Sequence, residues 1–408
     1  MHLGVGNFHR AHQAWYTARA SDAEGWGIAA FTGRSSRVAD ALAPQDGLYT
    51  LVIRSAAGDT FEVVGSLVEV HAAAGHDRLL DLLSRPEVGL VTITVTERGY
   101  VLDADGHLDV ADEVVGADVA ALRDDARAVV ASMPARLVAG LQARRDAGTG
   151  AITVLSCDNL PDNGSLTRAV VVGFADLVDE TLARWIDENV EFATSMVDRI
   201  TPATTDDDRR LVEQTQGYID ADPVPTEPFS EWVVSGAFPA GRPRWESAGA
   251  TLVDDVTPFE QRKLWLLNGS HSLLAYAGSV RGHETIDEAV ADPACRAWVE
   301  QLWDEACRHL TVGSRAICRQ RCGPDWGDDT LLETNGFSLP CRIPRSSSGC
   351  GCSIAYRTTG RPVRGPSYEN GALSASDGFR HSIGVSADVR SIQRVGSSGA
   401  TPHAVGFG

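Results

Sequence analysis

Two spacings of apolar residues share the first half of the chain. Short apolar runs recur at Trp26-Gly27-Ile28-Ala29-Ala30-Phe31, Tyr49-Thr50-Leu51-Val52-Ile53, Phe61-Glu62-Val63-Val64, Leu90-Val91-Thr92-Ile93-Thr94-Val95 and Ile152-Thr153-Val154-Leu155-Ser156. Runs of this length, rich in β-branched residues, predict strands, and the unbroken ones predict strands buried on both faces. Gly58-Asp59 predicts a turn between the second and third. Helical spacing predicts helices from the first turn of the chain through Ala20, over 118–147 and over 165–196. Strands alternating with helices imply an α/β fold with a doubly wound, mostly parallel sheet of the Rossmann type. From Pro258 to about residue 310 the pattern is helical throughout. The domains are therefore expected at 1–255, sheet-based, and at 256–312, the start of a mainly α-helical C-terminal domain.

Doubly wound sheets bind ligands beyond the carboxyl ends of their strands. Thr96 and Asn159 lie at two such ends, although Asp158-Asn159 would serve equally as a helix cap. At the start, Leu3-Gly4-Val5-Gly6-Asn7-Phe8-His9 contains the G-x-G of a dinucleotide turn, with His9 at the third glycine position. A plain glycine turn would read the same way. Only Met1 to Leu3 precede it, so the first strand is expected to be clipped. After the run ending at Phe31, an acidic residue would hold the adenosine ribose of NAD. Thr32-Gly33-Arg34-Ser35-Ser36-Arg37 stands there instead. Arg34 and its neighbours suit a 2′-phosphate, which keeps NADP open beside NAD; an exposed loop has the same composition.

Composition narrows the class. The 408 residues carry 43% apolar and 22% charged residues, ordinary for a soluble globular protein. No apolar run is long enough to span a membrane, and Met1-His2-Leu3-Gly4 opens no signal peptide, so a cytoplasmic location is expected. A net charge of −19 argues against nucleic-acid and anionic-membrane partners. A small-molecule substrate is expected, and no obligate protein partner is indicated.

Of 36 basic residues only Lys263 is a lysine. Arginine stays protonated near neutral pH, whereas a buried lysine can give up its proton, so one retained lysine is a candidate general base. Chance retention is the plain alternative. If Pro258 opens a helix, Glu260, His271 and Asn268 fall roughly 60°, 80° and 140° from Lys263 on the helical wheel. Leu264 and Leu267 share that arc, and Trp265, Leu266 and Leu273 cover the rest, which predicts a buried helix. Buried polar groups on it need partners, either structural or functional. Asp198-Arg199 alone reads as a surface ion pair, and Asp206-Asp207-Asp208 as a solvated run.

Four stretches together resemble the polyol-specific long-chain dehydrogenases, which include mannitol 2-dehydrogenase and the fructuronate and tagaturonate reductases. They are Gly4-x-Gly6-x-Phe8-His9-Arg10-Ala11-His12-Gln13, Ser156-Cys157-Asp158-Asn159, Val197-Asp198-Arg199-Ile200-Thr201-Pro202, and Lys263 with Asn268-Gly269-Ser270-His271. Thr96-Glu97-Arg98-Gly99-Tyr100 is similar to a further family segment. The resemblance covers about residues 2–310. It implies metal-free hydride transfer between NAD(P) and an open-chain polyol or sugar acid, mannitol and fructose first. It makes Lys263 the general acid–base, Asn159 and Asn268 donors to the substrate oxygen, His271 and Asp198 orienting groups, and Glu260 a proton relay. Gly4, Gly6, Asn7, Phe8, Arg34, Thr96 and Glu97 are the candidate cofactor residues.

Beyond residue 312 the character changes. Residues 1–312 hold 25 basic and 48 acidic residues, and residues 313–408 hold 11 and 7. Five of the eight cysteines crowd into 318–352. An out-of-frame translation accounts for this composition. A divergent flexible tail and a zinc site are the alternatives, the latter disfavoured by spacings that match no paired-knuckle pattern. An inactive, nucleotide-binding fragment is the competing function.

Overall fold

The computed structural model describes residues 1–310, without Ala56 and without the side chain of Asp287. The strands are β1 (His2–Leu3), β2 (Ile28–Phe31), β3 (Tyr49–Ile53), β4 (Thr60–Val64), β5 (Leu67–His71), β6 (Leu90–Ile93), β7 (Ile152–Ser156), β8 (Val190–Asp198), β9 (Val224–Thr226), β10 (Glu231–Ser235) and β11 (Thr251–Leu252). Eight of them form one sheet in the order β5-β2-β1-β6-β7-β8-β10-β11. All its neighbours are parallel except β8 and β10. The chain starts mid-sheet, steps outward to β5, then returns past β1 to β6, β7 and β8. That is the doubly wound order, and its reversal lies between β1 and β6.

β6 and β7 are buried at every residue, because helices cover both faces of the sheet. On one face Leu79, Leu83, Leu137, Val170 and Phe174 pack into a core beneath the helices His76–Leu83, Met133–Ala147 and Asn163–Val178. On the other, Ala11, Ala14, Val38 and Leu42 pack with residues of the smaller sheet, β4-β3-β9. The turn at Gly58-Asp59 does join β3 and β4, but that hairpin belongs to the smaller sheet.

Three expected elements differ. The predicted helix over 118–147 is two, Glu113–Asp124 and Met133–Ala147. The Asp118 carboxylate accepts from the Ala131 and Ser132 amides and from Ser132 Oγ, at 3.0, 2.8 and 2.6 Å. Ser132 then caps the second helix ahead of Pro134, which only a first turn tolerates. The predicted helix over 165–196 is likewise two, Asn163–Val178 and Glu180–Asn189, and residues 190–198 form β8 between β7 and β10. Pairing with two distant strands overrides the local preference there. In the acidic run, Asp206 and Asp207 are exposed, but Asp208 is buried, completes a capping box with Thr205 and pairs with Arg54.

Asp198 and Arg199 are no surface ion pair. Both are buried, and Arg199 donates to the backbone carbonyls of Ala11 and Glu227. Nor is the lysine helix buried all round. Leu266, Leu273 and Leu274 pack with Val299 and Trp303 of the helix Pro293–His309. Trp265, Tyr276 and Val280 are exposed among the described residues. The readings of residues 313–408 lie outside the described residues.

Asp222 joins the start of the chain to the segment before β9. Fully buried, it pairs with Arg10 and Arg37 at 2.7 Å each and with Arg209 at 3.5 Å. Arg10 is equally buried, so removing the carboxylate strands a charge in the interior. Asp222→Ala is expected to lose about 3 kcal/mol of stability or more. The check is a urea midpoint well below that of the parent at equal slope.

Candidate active site

Because β1, β2, β6, β7 and β8 run parallel, their carboxyl ends share one edge, and the candidate residues follow those ends. Gly4 to Phe8 follow β1, Arg34 follows β2, Thr96 and Glu97 follow β6, and Asn159 follows β7; Asp198 closes β8.

Gly4 adopts φ +100°, and a Cβ there would lie 2.0 Å from the Thr94 carbonyl oxygen. Only glycine lets the chain turn so close to the end of β6. At Gly6 a Cβ would meet nothing nearer than 3.9 Å, so its backbone is open to approach. The third glycine of a dinucleotide turn normally lets helix and strand pack closely. His9 fills that place by stacking on His2 of β1, ring centroids 3.3 Å apart. This turn, at the reversal of strand order, fits a dinucleotide. Asn7 is engaged structurally: its amide donates to Pro202 O at 2.8 Å and Thr204 Oγ1 at 3.1 Å, and its oxygen accepts from Arg10 at 2.7 Å. Phe8 stacks on His12 and packs against the cluster of Trp232 and Trp245. Thr96 is exposed, and Glu97 is half-buried in a single turn that ends at Tyr100.

The lysine lies across the edge from this turn. Its helix begins as Thr257–Arg262, widens to a π-helix over Lys263–Asn268, and resumes as Gly269–Arg281. A π turn closes between residues five apart. Lys263 and Asn268 are five apart, so they come closer to one face than the α-helical wheel allowed. Half-buried Lys263 Nζ donates to Asn159 Oδ1 at 2.6 Å and to the Val197 carbonyl of β8 at 2.5 Å. Glu260 accepts from the Asp162 amide at 3.2 Å, and burial raises its pKa. Burial, aided by the Lys263 charge, lowers the pKa of His271 to about 4. Lys263, Asn159 and the end of β8 thus meet directly; Glu260 and His271 lie close enough to feel the Lys263 charge, and Asn268 ends the π turn that Lys263 begins.

Asp158-Asn159 caps no helix. The helix Asn163–Val178 starts from Asp162 without a side-chain cap. The Asp158 carboxylate instead accepts from the Leu160 amide, Ser156 Oγ and the Tyr100 hydroxyl. Asn163 adds bonds to the Asp158 and Ser195 carbonyls, at 3.2 and 2.8 Å. This buried network fixes the loop that carries Asn159. Sequence reasoning missed it, and missed the clamp beside the lysine, where Arg262 pairs with Glu231 of β10 at 2.6 Å. The polar spacing of Ser156, Asp158 and Asn163 was the one available signal.

The profile described as the mannitol dehydrogenase Rossmann domain matches residues 1–247, and that of the mannitol dehydrogenase C-terminal domain matches residues 255–314. The chain belongs to the mannitol dehydrogenase family. A mannitol 2-dehydrogenase of Cereibacter sphaeroides is 41% identical over 310 residues, which is 74% of this chain and 63% of that protein. A D-mannonate oxidoreductase of Escherichia coli (strain K12) is 39% identical over 305 residues, 72% of this chain and 62% of the relative. The chain therefore spans less than two thirds of the length of these family members. Among solved structures, the Pseudomonas fluorescens mannitol 2-dehydrogenase ternary complex with NAD and D-mannitol superposes with a TM-score of 0.71. It shares 35% identity, over 84% of this chain and 68% of that one. A substrate-free D-sorbitol dehydrogenase gives 0.73 at 31% identity, over 82% and 69%.

The depressed histidine gives a pH signature. Unfolded imidazole titrates near 6.5, and His271 in the fold at about 4. Between those values the unfolded chain binds a proton that the folded chain refuses, so this contribution to stability, full above 6.5, falls as pH drops towards 4. The His271 imidazole resonance is expected to stay at its neutral position from pH 7 to 5. A midpoint near 6.5 in that NMR titration contradicts the burial.

Proposed function

We propose that this chain transfers a hydride between a nicotinamide dinucleotide and a secondary alcohol or ketone of an open-chain polyol, mannitol and fructose being the favoured pair. One observation carries the proposal: the sole lysine is held by Asn159 and the Val197 carbonyl at the carboxyl edge of the sheet. Family membership and the fit of the Gly4–Gly6 turn to a dinucleotide support it. When bound, the nicotinamide supplies the hydride acceptor.

The lysine has three directions to offer beyond its own carbon. Two point N–H groups at fixed acceptors, in the charged and neutral forms alike. The third carries the proton in one form and the lone pair in the other, and it is the direction left for a substrate oxygen. Lys263 thus takes the hydroxyl proton as hydride departs and returns it in the reverse reaction. Asn159 Oδ1 is committed to the lysine, which leaves its amide N–H₂ to donate to the same oxygen. Asn268 supplies a second such donor, so developing negative charge meets two amides. His271, neutral at pH 7, and Asp198 orient the remaining hydroxyls. Glu260, its proton affinity raised by burial, passes the proton outward.

The E. coli relative's name favours a second reading, a sugar acid in place of the polyol. An assay at the reduced-nicotinamide band with mannitol, arabinitol and fructuronate separates these, and silence on all three favours the inactive fragment. On an accepted substrate, Lys263→Ala is expected to lose about 10²–10⁴-fold in turnover while dinucleotide affinity is retained. Parental turnover in that variant removes the lysine from the chemistry.

A further inference from the structure

Three side chains of ligand type converge where the lysine helix is joined to the helix that packs on it. His283, Asp292 and Cys295 each bring one donor atom, and these atoms lie within 4.8 Å of one another. The helix Gly269–Arg281 ends at Gly282 with φ +90°, and the next amide, that of His283, donates to the Gly278 carbonyl at 2.9 Å. This closing turn fixes where the imidazole starts. Asp292 caps the helix Pro293–His309, its Oδ1 accepting from the Ala294 amide at 2.8 Å. Its other oxygen, Oδ2, meets His283 Nε2 at 2.9 Å. Cys295 follows in the first turn, where helical side chains tilt back towards the N-terminus and so towards the cap.

Cys295 is a free thiol and fully buried. A buried thiol ordinarily packs among apolar groups. This one joins the cluster of Leu273, Val299 and Trp303, yet its sulfur also faces a carboxylate and an imidazole. Arg281 is the cation at the cluster, paired with Asp292 Oδ2 and lying 5.9 Å from the Trp298 ring centroid. Its side chain is 37% exposed, so the guanidinium can turn out to water while its stem stays on Trp298. Zinc bonds to sulfur, nitrogen and oxygen run about 2.0–2.3 Å, which puts neighbouring ligand atoms roughly 3.5 Å apart. Side-chain rotation closes the remaining gap.

We propose that His283, Asp292 and Cys295 bind a divalent cation of the zinc type, which staples the end of one helix to the start of the next. The donor set chooses the metal class: a thiolate and an imidazole suit zinc or cobalt, whereas magnesium and calcium take oxygen ligands. On binding, the thiol releases its proton to solvent, the imidazole binds neutral through Nε2, and Arg281 leaves the carboxylate. Water takes the fourth position of the tetrahedron. At 1.5 Å per residue, Lys263 lies about 27 Å from Arg281 along the same helical run. The cation is therefore a brace for the packing of Leu273 and Leu274 on Val299 and Trp303, outside the proposed hydride-transfer site.

The test is a titration of the metal-free full chain with Co²⁺, followed by thiolate-to-cobalt charge-transfer absorption, with Zn²⁺ as competitor. Relative to Cys295→Ala, the parent is expected to bind one further equivalent and to show the additional absorption. The cysteines of 318–352 are present in both proteins, so their contribution cancels. His283→Gln and Asp292→Asn are expected to weaken this site at least about tenfold, the loss typical even of a residue behind a ligand. Asp292→Asn keeps the capping oxygen, and His283→Gln changes a half-buried side chain at a helix end, so both test the site even where Cys295→Ala perturbs the core. Equal stoichiometry and absorption in the parent and Cys295→Ala overturn the site. So does absorption lost in Cys295→Ala alone while the other two variants bind at parental affinity, which marks a lone thiol.

Discussion

A single amine ties the helical segment to the sheet. Lys263 reaches the ends of two neighbouring strands at once, through the carbonyl of Val197 in β8 and the side chain just beyond β7. The preceding residue does related work, as Arg262 pairs with Glu231 of the antiparallel neighbour β10. Adjacent cations therefore grip three adjacent strands, and the wider π turn that starts at Lys263 sets where Asn268 falls. An arginine at 263 would supply the charge but could not give up a proton. That difference is a physical reason for a lysine at this place in a chain that uses arginine everywhere else.

The grip works only if the strand ends are themselves rigid. Beneath Asn159, the buried set of Tyr100, Ser156, Asp158, Asn163 and Ser195 is closed on itself by hydrogen bonds. Burial raises the pKa of Asp158 and pushes that of Tyr100 well above the usual phenol value. Buried polar networks of this kind are strong when every member is satisfied and costly when one is missing. They fix the loop that carries Asn159 more firmly than backbone contacts alone would. On the far side of the edge, Asn7 ties the glycine turn to residues 202 and 204 just after β8. Both halves of the site are thus braced at β8 or at the segment that follows it.

The two relatives named differ in what they are called, yet both are about equally similar to this chain over nearly three quarters of its length. The segments that the two family profiles match contain β1 to β10, the glycine turn and the lysine helix. Those elements place the glycine turn and Lys263 on one edge, the arrangement that the proposed hydride transfer would use. Discrimination among open-chain substrates depends on groups that contact the remaining hydroxyls, of which His271 and Asp198 are the candidates within the described residues.

What the sequence determined by itself was local or compositional. The apolar runs marked β2, β6 and β7 because strands covered on both faces must be apolar throughout. Gly4 was legible because its backbone conformation excludes other residues, and Lys263 because it is unique. The family resemblance singled out Asn159, which the structure brings to Lys263 Nζ, and Asn268 on the same helix as candidate amide donors. What only the tertiary structure decided was long-range. Residues 190–198 became a strand because β7 and β10 pair with them, against a helical spacing. Asp208 and Asp198 became buried because arginines or neighbouring strands cover them, which no run of charges reveals. The π turn and the Asp158 network arise where distant segments meet. Their cause is contact between residues far apart in the chain, and local periodicity carries no record of such contacts.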